Sequence, residues 1–132
     1  MKATSTPAKN SLRHERLTLY GIKTCDTTRA ARAWLEERGL DLRFHDYRVD
    51  GLTPETLAGF VHALGWETVL NRASATFKAL PEAARASLDE KKALALMLKE
   101  PTMIKRPIVE RAEVYVAGFK PEVYEAAFGT GA

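Results

Sequence analysis

The segment from Leu17 to Tyr47 constrains this chain more than any other. Residues 17–22 (Leu-Thr-Leu-Tyr-Gly-Ile) are short, apolar and rich in strand formers, which predicts a first β-strand. A polar turn, Lys23-Thr24-Cys25, follows. Residues 26–38 then place Ala30, Ala31, Trp34 and Leu35 on one face at helical spacing, with Gly39 as the stop. Residues 42–47 alternate apolar and polar side chains and read as a second strand. Strand, turn, helix and strand in that order form a βαβ unit, parallel through a right-handed crossover.

The rest of the chain completes that unit. Asp50-Gly51 is a turn, Thr53 an N-cap and Pro54 the first helical position. The helix that follows buries Leu57, Phe60, Val61 and Leu64 and ends at Gly65. Residues 66–86 read as short helical turns broken at Asn71 and Pro81. Asp89 caps a further helix with Leu94, Met97 and Leu98 inward, ended by Glu100-Pro101. Residues 103–109 and 114–118 read as an antiparallel hairpin turning at Ala112. Residues 121–128 form a closing helix with Val123, Tyr124, Ala127 and Phe128 available for packing, and residues 129–132 are a frayed tail. The predicted order is βαβ, a helical insertion over about residues 53–100, then ββα. This is an α/β (α+β) chain with one domain over residues 17–132. A mixed four-stranded sheet of thioredoxin type fits the order, against an unrelated α+β domain as the alternative.

Composition narrows the functional classes. Of the 132 residues, 45% are hydrophobic and 28% charged, with a formal net charge of +3, ordinary for a globular domain. The charge is too mild and too scattered to argue for nucleic acid. No apolar run approaches the roughly twenty residues that span a bilayer. Residues 1–16 are polar and lack the apolar centre of a secretory signal, so they read as a disordered extension. The chain has one cysteine and so cannot close an internal disulfide, which points to a reducing cytoplasm. His45 and His62 have no partners at metal-ligand spacing, and no metal is expected. Trp34 and Trp66 read as core residues.

That lone cysteine, Cys25, lies where a strand ends and a helix begins. Unpaired N–H groups and the helix dipole favour negative charge there, which lowers a thiol pKa and favours the nucleophilic thiolate. Arg29 is one turn further on the same face, and Lys23 is a second nearby cation. Thr27 and Thr28 supply hydroxyls and backbone N–H groups for an anion. Asp26 can cap the helix, though its charge opposes the thiolate. The competing reading is an inert structural cysteine. Thr28 occupies the place of the second cysteine of a Cys-x-x-Cys motif, so any redox cycle at Cys25 needs a resolving thiol from another molecule. A second feature is Ile104-Lys105-Arg106-Pro107. Two cations beside a proline mark either an ordinary basic turn or a special turn with a cis peptide bond.

Four motifs occur together in order: Tyr20-Gly-Ile-Lys-Thr-Cys-Asp-Thr27, His45-Asp-Tyr-Arg-Val-Asp-Gly51, Leu64-Gly-Trp66 and Ile104-Lys-Arg-Pro107. Together they resemble the arsenate reductase (ArsC-type) family over about residues 17–128, and within it the YffB-type branch of glutathione-dependent thiol reductases. The resemblance implies a thioredoxin-like fold with a helical insertion and Cys25 as the catalytic thiol. It implies Arg106 as an anion- or thiol-binding residue in a cis-proline step at Arg106-Pro107. Arg29 matches the arginine that follows the family's cysteine by one turn, and with Arg106 it is expected to act in catalysis by stabilising the anion. Lys23, Thr24, Asp26, Thr27, Thr28, Arg72, Lys105 and Pro107 are then expected to line the substrate site. Arsenate reductases of the family carry further arginines. Arg72 stands one residue away from one such position, and Arg111 lies near another, in the final hairpin. A tetrahedral multiply charged anion needs dense fork-shaped donors, so this sparser set suits a thiol or disulfide substrate better. Glutathione is the expected cosubstrate, with glutaredoxin or thioredoxin as possible protein partners and a monomer as the expected state. Arsenate reduction is the alternative enzyme activity. The alternative of another class is a polymerase-binding regulator of the Spx type, whose usual Cys-x-x-Cys switch is absent here.

Overall fold

The computed structural model describes residues 16–129. The extension expected over residues 1–16 and the tail expected over residues 129–132 therefore lie almost wholly outside the described residues. Within them, β1 (Leu17–Gly21) leads into α1 (Asp26–Glu37) and β2 (Leu42–Asp46), followed by α2 (Pro54–Leu64) and α3 (Glu90–Lys99). The hairpin β3 (Ile108–Arg111) and β4 (Val114–Ala117) and the closing α4 (Pro121–Phe128) complete the order. Short helical segments at Tyr47–Asp50, Trp66–Val69, Ala75–Lys78 and Glu82–Ala86 fill the connections.

The strands form one mixed sheet in the order β2-β1-β3-β4. β1 runs parallel to β2, with Gly21 opposite Asp46, and antiparallel to β3. This is the predicted thioredoxin-like arrangement of a βαβ half joined edge to edge with a ββα half. Each face of the sheet is covered, because alternate residues of a strand point to opposite faces. On one face Leu17, Leu19 and Val109 pack with Ala31 and Leu35 of α1 and with Tyr124 and Phe128 of α4. On the other, Ile22 and Ile108 join Leu57, Phe60 and Val61 of α2, Met97 of α3 and Ile104. Burial of an aliphatic or aromatic side chain of this kind contributes about 1.5–3 kcal/mol.

Several elements differ from the sequence reading. Residues 103–109 are not one strand. Pro101–Met103 is a 3₁₀ turn, Ile104 makes an isolated bridge to Leu70, and the strand begins only at Ile108. The Lys105 N–H goes to the Val69 carbonyl, so this segment is tied to the insertion before it joins the sheet. β2 ends at Asp46, whose carboxylate caps the next helical turn through the Arg48 N–H, and Tyr47 is helical. In α3 the fully buried pair is Ala93 and Met97, with Leu94 and Leu98 packed at its margins. In α1 Thr28 is buried and Ala30 exposed. Trp34 and Trp66 are half-buried rather than core, each with an arginine over its ring, Arg38 at 3.5 Å and Arg72 at 5.7 Å.

Two positions are set by backbone geometry. The β3–β4 loop is the pair Ala112-Glu113, with φ of 50° and 69°, the left-handed pair that a two-residue hairpin turn demands and that Asn-Gly satisfies best. The double substitution Ala112→Asn, Glu113→Gly is expected to raise the melting temperature by several degrees, about 1 kcal/mol of stabilisation. A lower melting temperature would contradict the turn assignment. Gly21 faces Thr28. A Cβ there would lie 2.6 Å from Thr28 Oγ1 and 2.8 Å from its Cγ2, and a β-branched side chain on a helix has little room to rotate away. Gly21→Ala is expected to destabilise by about 1–3 kcal/mol. Adding Thr28→Ala should restore part of the loss, read as non-additivity of the two unfolding free energies.

Candidate active site

Cys25 is the N-cap residue of α1, with extended backbone, and its carbonyl accepts the Arg29 N–H at 3.0 Å. Its own N–H reaches back to the Ile22 carbonyl at 2.9 Å. The loop before it is pinned by Asp46, which lies 6% exposed at the end of the neighbouring strand. One carboxylate oxygen accepts the Lys23 N–H at 2.9 Å and the other the Arg48 N–H at 2.8 Å. A buried carboxylate thus holds the approach to the cysteine rigid from β2.

The sulfur is half-buried against the insertion-side core. As a neutral thiol it makes no capping hydrogen bond of normal geometry. Burial alone would push its pKa up. The Thr28 N–H and hydroxyl, the Arg106 guanidinium and the Thr27 N–H surround it and favour the negative charge. These donors outweigh desolvation, and the thiol titrates below its ordinary value. Cys25 occupies the place where a capping oxygen normally sits, and as a thiolate it would serve that role.

Arg106 reaches the site from the far end of the insertion. The Arg106–Pro107 bond is cis, as the resemblance implied. One guanidinium N–H goes to the Thr102 carbonyl at 2.8 Å, which steers the side chain, while Pro107 is buried and its carbonyl accepts the Gly118 N–H at 2.7 Å. Among the described residues, three buried side-chain atoms have no hydrogen-bond partner of normal geometry: Thr28 Oγ1, Arg106 Nε and Tyr47 OH. Leaving a buried donor unsatisfied costs about 1–3 kcal/mol. Two of these atoms belong to groups that flank the sulfur.

Other residues anticipated at the site stand elsewhere or act differently. Asp26 is the first helical residue and not the cap. It forms an ion pair with Arg29, and both side chains are largely exposed. Arg29 is therefore engaged with Asp26, and the groups that shift the thiol do not include it. With Lys23 and Arg32 it lines a groove of about 240 Å³ beside Thr28 and Phe44. Thr24 and Thr27 are exposed, and Lys105 is half-buried and held by its backbone. Arg72 lies over Trp66, and Arg111 is buried over Phe128 on the opposite face of the sheet from the insertion. Neither joins the set around the sulfur. His45 Nε2–H donates to the Gly51 carbonyl at 2.8 Å. Among the described residues no group of three or more His, Cys, Asp or Glu is placed to hold a metal ion, and no helix is long and apolar enough to cross a membrane.

One contributor, Asp46, was missed in the sequence reading, where it looked like an alternating strand residue; the available signal was its place in the His45–Gly51 motif.

The chain is similar to several known proteins. The chain is 40% identical over 112 residues to an uncharacterised protein of Haemophilus influenzae, covering 85% of this chain and 98% of that one. Among solved structures, a YffB protein is 50% identical with a TM-score of 0.81, covering 85% of this chain and 98% of the other. An arsenate reductase (ArsC) related protein from Brucella melitensis is 47% identical with a TM-score of 0.71, covering 93% and 98%. An arsenate reductase from Vibrio cholerae shares the fold at a TM-score of 0.72 and 23% identity, covering 83% and 94%. Residues 20–127 match the ArsC family as a whole, and with the cysteine at the helix start and the arginine at the cis-proline turn in place, this chain belongs to that family.

Proposed function

We propose that this ArsC-family protein is a thiol reductase with Cys25 as its single nucleophile and glutathione as its cosubstrate. The observation that carries the reading is the half-buried sulfur at the α1 start, ringed by the Thr28 N–H and hydroxyl and the Arg106 guanidinium, with its pKa lowered. In the first step the Cys25 thiolate attacks the glutathione sulfur of a mixed disulfide. The substrate leaves as a thiolate that takes a proton from water, and Cys25 is glutathionylated. The chain has one cysteine, so a second glutathione, or a glutaredoxin or thioredoxin, supplies the thiolate that releases Cys25. The oxidised product is glutathione disulfide or the partner's disulfide. The protein would act as a monomer in the cytoplasm.

Arsenate reduction is the second reading, favoured by the relationship to the arsenate reductase related protein of Brucella melitensis. Its chemistry asks for several fork-shaped cations at one anion. Here Arg106 alone among Arg72, Arg106 and Arg111 takes part at the sulfur.

Cys25→Ser is expected to abolish turnover of a glutathione mixed disulfide, measured as glutathione oxidation coupled to glutathione reductase. Undiminished turnover would refute the mechanism. The alkylation rate of Cys25 follows the thiolate fraction. Because the folded pKa is depressed, the rate should hold as pH falls below the ordinary thiol range of about 8–9, and drop only as pH passes the depressed value. Arg106→Gln and Thr28→Val should each move that titration upward. Arsenate should not accelerate glutathione consumption in the presence of glutaredoxin, and a clear arsenate-dependent rate would instead establish the second reading.

A further inference from the structure

The groove of about 240 Å³ that Lys23, Arg29 and Arg32 line beside Phe44 lies between α1 and β2. It starts at the cysteine loop. The Lys23 Cα is at most about 7.6 Å from that of Cys25, two trans peptides along the chain, and the Arg29 N–H is bonded to the Cys25 carbonyl at 3.0 Å. Arg32 is three residues further on and a neighbour of Arg29 on the helix surface. Its guanidinium lies 4.9 Å over the Phe44 ring, a cation–π contact that keeps the charge beside β2. The charges of Lys23 and Arg32 have no part in holding the Cys25 thiolate. We propose that this groove binds a carboxylate of the thiol peptide whose sulfur becomes bonded to Cys25, with Lys23 and Arg32 as its donors.

Charge and donors on the page support it. Lys23 gives its backbone N–H to Asp46, and its ammonium has no ion pair or hydrogen bond among the described residues. Arg32 spends only Nε, on Glu36 at 3.2 Å, which leaves both terminal nitrogens without a partner. Arg29 spends one terminal nitrogen on Asp26. Both ion pairs are exposed, so they hold these side chains only weakly. Lys23, Arg29 and Arg32 against Asp26 and Glu36 leave one net positive charge, which matches one carboxylate rather than a multiply charged anion. Ala33 and Phe44 give the groove an apolar wall for the aliphatic part of a peptide. The carboxylate has two sources of the same chemistry: glutathione, or an acidic residue close to the cysteine of a protein substrate. The inference rests on the thiol reductase reading for the step it serves, and deepens it by naming what the substrate carries beyond its sulfur.

The test follows a single exchange at Cys25. Four thiols are activated as pyridyl disulfides in two pairs: glutathione with its dimethyl ester, and the acetylated tripeptide amide Cys-Gly-Glu with its Cys-Gly-Gln counterpart. The Cys25 thiolate attacks the peptide sulfur and forms a new disulfide. The bond to the pyridyl sulfur breaks, and pyridinethiolate leaves, takes a proton from water and is read by its absorbance as the thione. No resolving thiol is needed, so the rates are measured whether or not glutathione turns over, and the groove and the reductase reading fail separately. In at least one pair the carboxylate-bearing member should exchange about 3- to 10-fold faster than its neutral partner at low ionic strength. The ratio should approach one at about 1 M salt, where the Debye length falls to about 3 Å. An effect in the glutathione pair alone assigns the groove to glutathione, and in the tripeptide pair alone to an acidic side chain. Arg32→Gln and Lys23→Gln should each lower the ratio, and Arg32→Lys should keep most of it. Because the ratio is taken within one variant, a change in thiolate reactivity cancels. Ratios near one in both wild-type pairs would overturn the proposal, as would a ratio that survives in the double variant Lys23→Gln, Arg32→Gln.

Discussion

Where α1 leaves β1, the Gly21 backbone and the Thr28 side chain pack so closely that a Cβ does not fit between them. The rest of the site depends on this contact. It brings the first turn of α1 down onto the central strand, so that Thr28 is buried and its N–H and hydroxyl both face the Cys25 sulfur. A helix held further off would leave the cysteine in solvent, with its dipole screened and its thiol ordinary. Asp46 performs the matching task from the other side, fastening the Lys23 N–H to the end of β2.

The sulfur's environment is a contest between burial and donors. Removing a thiolate from water is unfavourable, and here that effect is the largest single one acting on the group. It is overcome because several donors act together over short distances, and because one of them is charged and itself partly desolvated. Arg106 contributes because its side chain is steered by the Thr102 carbonyl and anchored in a segment tied to Val69. The helical insertion is therefore more than a cover for one face of the sheet. It carries the backbone groups that aim the arginine at the cysteine.

The same architecture keeps other cations away. Arg29 is one turn from Cys25 along the helix but pairs with Asp26 at the surface. Arg111 occupies the opposite face of the sheet because β3 alternates, with Ile108 toward the insertion and Val109 and Arg111 toward α4. The result is a sulfur with one guanidinium beside it, that of Arg106, and one hydroxyl, that of Thr28.

Much of this was legible beforehand, and for local reasons. The period of the apolar residues located β1, α1, α2 and α4, and the strand-to-helix step located Cys25 at a helix start. A lone cysteine with Thr28 in the resolving position means that any redox cycle at Cys25 needs an outside thiol. None of that needs knowledge of distant residues, because periodicity, capping and residue count are properties of adjacent positions. The strand predicted over residues 103–109 failed because Ile104 and Lys105 make their backbone bonds to Leu70 and Val69, far back in the chain. The arginines could not be sorted by spacing either. Arg106 reaches the sulfur, Arg72 covers Trp66 and Arg111 covers Phe128 because the folded sheet and insertion decide which faces meet. The place of Cys25 at a helix start belonged to the sequence alone. Its lowered pKa and its partners Thr28 and Arg106 were decided by the tertiary structure, since desolvation and charge interaction act through space between segments that lie far apart in the chain.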